Sequence, residues 1–72
     1  MAYMTYRPLS FLTAYDLACG KVQRRVTKRG AVRLFYQRGQ YRVISALGYL
    51  QSPSLTAARD FFVSLVSKGN QL

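Results

Sequence analysis

Between Val32 and Tyr36 the side chains alternate. Val32, Leu34 and Tyr36 fall on one side of an extended chain, and Arg33 and Phe35 on the other. β-Branched and aromatic residues at period two specify a half-buried strand. Gln37-Arg38-Gly39-Gln40 follows at once. There Gly39 can take a positive φ in a tight turn. The next run, Tyr41 to Leu50, puts Tyr41, Val43, Leu47 and Tyr49 on one parity and Arg42, Ile44, Ala46, Gly48 and Leu50 on the other. A hairpin is the expected result. A weaker strand, Val22 to Thr27, precedes it and connects through Lys28-Arg29-Gly30. The sequence therefore predicts a three-stranded antiparallel β-meander.

After Leu50 the period changes. Ser52-Pro53-Ser54 reads as a turn, and Ser54 or Thr56 can cap a helix running to about Lys68, with Gly69 placed to end it. Ala58, Phe61, Phe62, Leu65 and Val66 form one apolar stripe at helical spacing, while Arg59, Asp60, Ser64, Ser67 and Lys68 fall mostly on the other side. Asp60 is expected in the first turn and Lys68 in the last, as suits the helix dipole. The fold class is thus α+β: a meander packed against one C-terminal amphipathic helix. One helix covers one face of a sheet, so the other face is solvated or binds something.

Residues 1–20 read as a short N-terminal arm or helix, and residues 21–72 as the sheet-plus-helix domain. Tyr3, Tyr6, Phe11 and Tyr15 make the first segment aromatic, and Pro8 interrupts any element begun earlier. Either Ser10 or Thr13 (the latter with Asp16) can cap a short helix ending near Cys19, with Gly20 as a left-handed stop. With 72 residues there is room for one domain. A chain this short buries only about 60% of its unfolded surface, so its stability is marginal. Half of the residues are hydrophobic, enough for one core.

Charge narrows the function. Eleven Lys and Arg face only Asp16 and Asp60, giving a net charge of +9. Lys21, Arg24, Arg25, Lys28, Arg29, Arg33, Arg38 and Arg42 all lie within the meander. Clustering of this kind suits a polyanion, since neutralising phosphates needs cations within reach of one backbone and releases counterions. Arginine predominates, and its planar fork matches phosphate oxygens and the guanine edge. By parity, Arg33, Arg42 and one or two of Arg24 and Arg25 can share an exposed surface and approach a groove. Arg24, Arg25, Lys28, Arg29 and Arg38 would hold phosphates. Tyr36, Tyr41 and Tyr49 could stack on unpaired bases, but aromatics at strand spacing are more often core; Tyr36 is expected in the core and Tyr41 fits either.

Catalysis has little to work with. There is no histidine, the acids are single, and Cys19 is the only cysteine. That excludes an intrachain disulfide and a cysteine-based metal site, and leaves a thiol nucleophile without a histidine base. Cys19 is expected as a small buried hydrophobe. No glycine-rich phosphate loop joins a strand to a helix. The expectation is a protein that is not an enzyme, with no cofactor, no metal and no small-molecule substrate. Its single cysteine fits a reducing compartment, and no apolar run reaches the ~20 residues that span a bilayer.

Phe35-Tyr36-Gln37-Arg38-Gly39-Gln40-Tyr41, Leu50-Gln51-Ser52-Pro53-Ser54-Leu55-Thr56, Ala57-Ala58-Arg59 and the closing Gly69 resemble the cell-division modulator CedA family. The likeness covers about half of the chain and rests on an Arg-Gly-x-Tyr hairpin, a Ser-Pro-x-x-Thr turn and an amphipathic C-terminal helix. It implies three antiparallel strands plus a helix, double-stranded DNA as partner, and a role around division and transcription. The layout is also similar to the arm-binding domains of phage-type integrases, whose sheet enters the major groove. The expected function is therefore regulatory duplex-DNA binding by a cytoplasmic, nucleoid-associated protein of bacterial or phage type. Two alternatives stand beside it: a small regulator docking on RNA polymerase or a division protein, and an RNA- or ribosome-associated binder.

Overall fold

The computed structural model describes residues 11–71. The element order is α1 (Ala14–Ala18), β1 (Gln23–Thr27), β2 (Gly30–Gln37), β3 (Gln40–Ser45), β4 (Gly48–Ser52) and α2 (Leu55–Gly69). The strands form one antiparallel sheet in the order β1-β2-β3-β4. The α+β class and the C-terminal helix stand as expected, but there are four strands rather than three. The run Tyr41 to Leu50 is not continuous. It reverses at Ala46-Leu47, so that Val43 lies opposite Leu50 and Ile44 opposite Tyr49. That reversal brings Val43 and Leu50, of opposite parity in sequence, onto the same face. The Leu47 amide donates to the Ser45 hydroxyl at 3.0 Å, a local bond that supports the turn.

Helix α2 covers one face of the sheet. Val32, Leu34 and Val43 from the sheet meet Ala58, Phe62, Leu65 and Val66 from the helix, all buried. Phe61 packs partly buried against this cluster, completing the apolar stripe expected of α2. Ser54 is the N-cap, its hydroxyl accepting from the Ala57 amide at 3.2 Å. Because the helix begins at Leu55, Asp60 lies beyond its first turn, contrary to expectation, while Lys68 does occupy the last. Gly69 is not a left-handed stop. It is the last helical residue and is buried, with Asn70 as the C-cap. Its role is close approach: a Cβ there would fall inside contact distance of Thr27 Oγ1 and 2.6 Å from Thr27 Cβ.

The helix predicted near Cys19 is α1, and Thr13 caps it. The Asp16 amide donates to Thr13 Oγ1 at 3.1 Å, and the Thr13 amide donates to Asp16 Oδ2 at 3.2 Å, a reciprocal capping box. The Thr13 amide first, then its hydroxyl and Lys21, hold the Asp16 carboxyl below its ordinary pKa. Gly20 takes φ +97°, as the stop requires. Ser10, Pro8 and the aromatic residues before Phe11 lie outside the described residues. Leu17 is buried in the same core as the sheet and α2. Arg59 fastens the segment from the helix side: its Nη2 donates to the Leu12 carbonyl at 2.6 Å, and its guanidinium lies 5.2 Å from the Phe11 ring centre. Cys19 is exposed rather than buried, because α1 turns Leu17 inward and ends at that point. Among the described residues no helix is long and apolar enough to cross a membrane.

Candidate nucleic-acid interface

Cross-strand register decides which cations share a surface. Arg24 on β1 lies opposite Arg33 on β2, and Arg33 lies opposite Ile44 on β3. Arg42 lies opposite Phe35 on one side and Gln51 on the other. Directly paired residues point to the same face. Arg24, Arg33 and Arg42 therefore occupy the face that α2 leaves open. Arg25 does not join them. Its register partner is Val32, a core residue, so it belongs to the helix side of the edge strand β1, where it is exposed. The sequence left Arg24 and Arg25 undecided, and register separates them.

The other cations sit at turns. Lys28 and Arg29 form the β1–β2 turn, which is fastened to the end of α2. The Lys28 amide donates to Asn70 Oδ1 at 3.3 Å, and Arg29 Nη2 donates to the Gln71 carbonyl at 3.4 Å. Within the turn, Thr27 Oγ1 donates to the Gly30 carbonyl at 2.7 Å and accepts from the Arg29 amide at 3.1 Å. Arg38 and Gly39 form the β2–β3 turn with φ of +52° and +80°. Positive φ at both central positions is the signature of a type I′ turn, which favours Asn-Gly. Arginine in that conformation works against the backbone. Arg38→Asn is therefore expected to raise stability by about 0.5 kcal/mol. Thermal unfolding checks this, and a lower melting temperature would contradict it.

Among the described residues the one ion pair is Lys21 with Asp16, at 3.7 Å. Among the same residues Arg24, Arg25, Lys28, Arg29, Arg33, Arg38 and Arg42 have no carboxylate partner. Arg24 and Arg33 lie directly opposite each other, an arrangement of like charges that destabilises a sheet. Arg42 is half-buried. Its Nη1 donates to the Tyr49 hydroxyl at 3.1 Å, which donates to Gln51 Oε1 at 2.9 Å, while its Nε is enclosed without a partner. This chain of bonds fixes the guanidinium against the sheet.

The tyrosines divide differently from expectation. Tyr36 points to the helix side but remains 36% exposed. Tyr41, its cross-strand partner, packs partly buried against the core, with ring centres 4.9 Å apart. Tyr49, 54% exposed, and Gln51 belong to the open face. The sequence reading offered Tyr49 for base stacking but placed neither residue on the face of Arg42, because it had no β4. Their signal was the parity of Arg42, carried across one more hairpin.

Fold and surface together define a small open-faced sheet backed by one helix, with a cationic face and cationic turns. No protein-family model, curated protein or solved structure matches the chain.

Proposed function

We propose that this chain is a non-catalytic duplex-DNA-binding module that applies the open face of its sheet to the major groove. The observation that carries the reading is the set of seven cations without a carboxylate partner among the described residues, gathered on that face, its neighbouring edge and two of its turns. Arg24, Arg33 and Arg42 approach base edges, and Lys28, Arg29 and Arg38 hold flanking phosphates. Arg25 serves a phosphate at the β1 edge. The width of the sheet supports a particular placement. Four strands at the usual spacing extend over about 14 Å, more than the ~12 Å of the groove. The three strands that bear cations extend over about 10 Å, and β4, which has no charged residue, lies at the rim. The likeness to the CedA family points the same way, toward a regulatory role around cell division or transcription.

The test is fluorescence anisotropy on labelled random-sequence duplex at several salt concentrations. Log affinity is expected to fall linearly with log salt, with a slope of about −3.6 for these four phosphate contacts. Arg38→Ala should weaken binding to all sequences alike and reduce that slope by about one. Absence of binding at low salt would remove the proposal. Tighter competition by duplex RNA or single strands would transfer the site to RNA or to unpaired bases.

One observation favours a second reading. The edge strand β4 (Gly48–Ser52) carries neither charge nor proline along its free side, the features that usually protect an edge. Strand addition by a regulator's target, such as RNA polymerase or a division protein, would use that edge. A stoichiometric complex that survives nuclease treatment would support it.

A further inference from the structure

The open face differs in chemistry from the turns around it. Its cations are Arg24, Arg33 and Arg42, without a lysine. Its neutral polar side chains include glutamines: Gln37 opposite Gln40, and Gln51 beside Arg42. It bears no acid. A face serving only phosphates has no use for large apolar groups between its cations. Yet Ile44 is 40% exposed, with Arg33 across from it on β2 and exposed Tyr49 across from it on β4. Val26, exposed, and Ala31, half-buried, form a further apolar pair on this face two residues along the strands from Arg24 and Arg33. These groups do nothing for the core, which lies on the opposite face.

Arginine, glutamine and small or branched apolar groups are the three side-chain classes that read the major groove. Arginine bridges guanine O6 and N7, glutamine pairs with adenine N6 and N7, and apolar groups contact the thymine methyl. Building on the duplex-DNA reading above, we infer that the open face reads base sequence, with Ile44 contacting a thymine methyl next to a guanine held by Arg33. Directly opposed side chains on neighbouring strands stand ~5 Å apart at Cβ, close enough to address neighbouring base pairs. Tyr49 closes the far side of Ile44. Its ring is tied to Arg42 and Gln51 through its hydroxyl, which limits the motion of the wall against which the methyl would rest.

The experiment removes the methyl and nothing else. Affinities are measured for a short alternating thymine–guanine duplex and for its twin in which uracil replaces every thymine. Phosphates and base pairing are the same in both. The unaltered chain is expected to bind the thymine duplex about fourfold more tightly, the value of one buried methyl-sized group. Ile44→Ala is expected to bind both duplexes equally, with its melting temperature checked against the parent chain. Equal affinity of the unaltered chain for both duplexes, with the salt slope retained, overturns this inference and leaves duplex binding standing. A preference that persists in Ile44→Ala overturns the assignment to Ile44. Loss of salt-dependent binding to either duplex overturns the duplex reading and this inference with it.

Discussion

Gly69→Ala is expected to lower the melting temperature by about 10 °C. By helix propensity alone the change should help, since alanine is favoured over glycine inside a helix by about 1 kcal/mol. Packing reverses the sign. The added methyl would meet Thr27 Oγ1 and approach Thr27 Cβ to 2.6 Å and Cγ2 to 2.9 Å. Thr27 is itself buried and cannot swing away, because its hydroxyl holds the Gly30 carbonyl and the Arg29 amide. Either the end of α2 or the β1–β2 turn must shift. Overpacking of this kind costs about 3 kcal/mol, leaving a net loss of about 2 kcal/mol. In a domain of this size each kcal/mol moves the melting temperature by roughly 4 to 8 °C. Thr27→Ala in the same chain should restore only part of the loss, because the Cβ contact remains. A melting temperature equal to or above that of the parent would show that the helix end yields easily. The substitution also bears on function, since Lys28 and Arg29 are placed by the bonds from this turn to Asn70 and Gln71.

Much of this architecture is written locally in the chain. The alternation from Val32 to Tyr36, the Arg38-Gly39 turn and the stripe from Ala58 to Val66 each contain their own period or their own turn residue. Those elements form where the residues place them. The break between β3 and β4 is different. Ala46 and Leu47 have no turn chemistry, and the alternation of Tyr41, Val43, Leu47 and Tyr49 runs through them. Beyond the local bond from the Leu47 amide to the Ser45 hydroxyl, what reverses the chain there is tertiary: Val43 and Leu50 both reach the core under α2 only if the strand folds back. Tyr36 shows the same limit. Its parity is that of the core, but its burial depends on how far α2 extends over the sheet. Cys19 was expected inside on composition and lies outside because Leu17 takes the inward position of α1. Gly69 carried a C-terminal signal, and its real constraint is a neighbour 42 residues away in sequence, Thr27. The site followed the same division. Arg33 and Arg42 were placed on one face by parity within one hairpin. Arg24 and Arg25, adjacent in sequence, required the β1–β2 register.

That register sets up the second large effect. Arg24→Gln with Arg33→Gln is expected to reduce affinity for duplex DNA by roughly a thousandfold while leaving the fold intact and slightly more stable. The two arginines lie directly opposite on adjacent strands, and among the described residues neither has an ion-pair partner. Like charges so placed destabilise a sheet by a few tenths to about 1 kcal/mol. Glutamine keeps a long polar side chain on the face and removes the repulsion. Stability should therefore rise by about 0.5 kcal/mol. Binding should move the other way, since each arginine at a base edge is worth about 2 kcal/mol. Two of them account for about three decades in affinity. Opposite signs separate a binding surface from a merely solvated one. A solvated face would give the same gain in stability and no change in affinity for DNA. A loss of both would mean that the pair packs the sheet. Gel shift or anisotropy, read beside thermal unfolding of the same double variant, distinguishes these outcomes. Adding salt supplies an internal control: it should raise the parent's melting temperature toward that of the variant, because screening relieves the same repulsion. The arginine pair then appears as a strain that the folded chain carries when alone and that a polyanion relieves on binding.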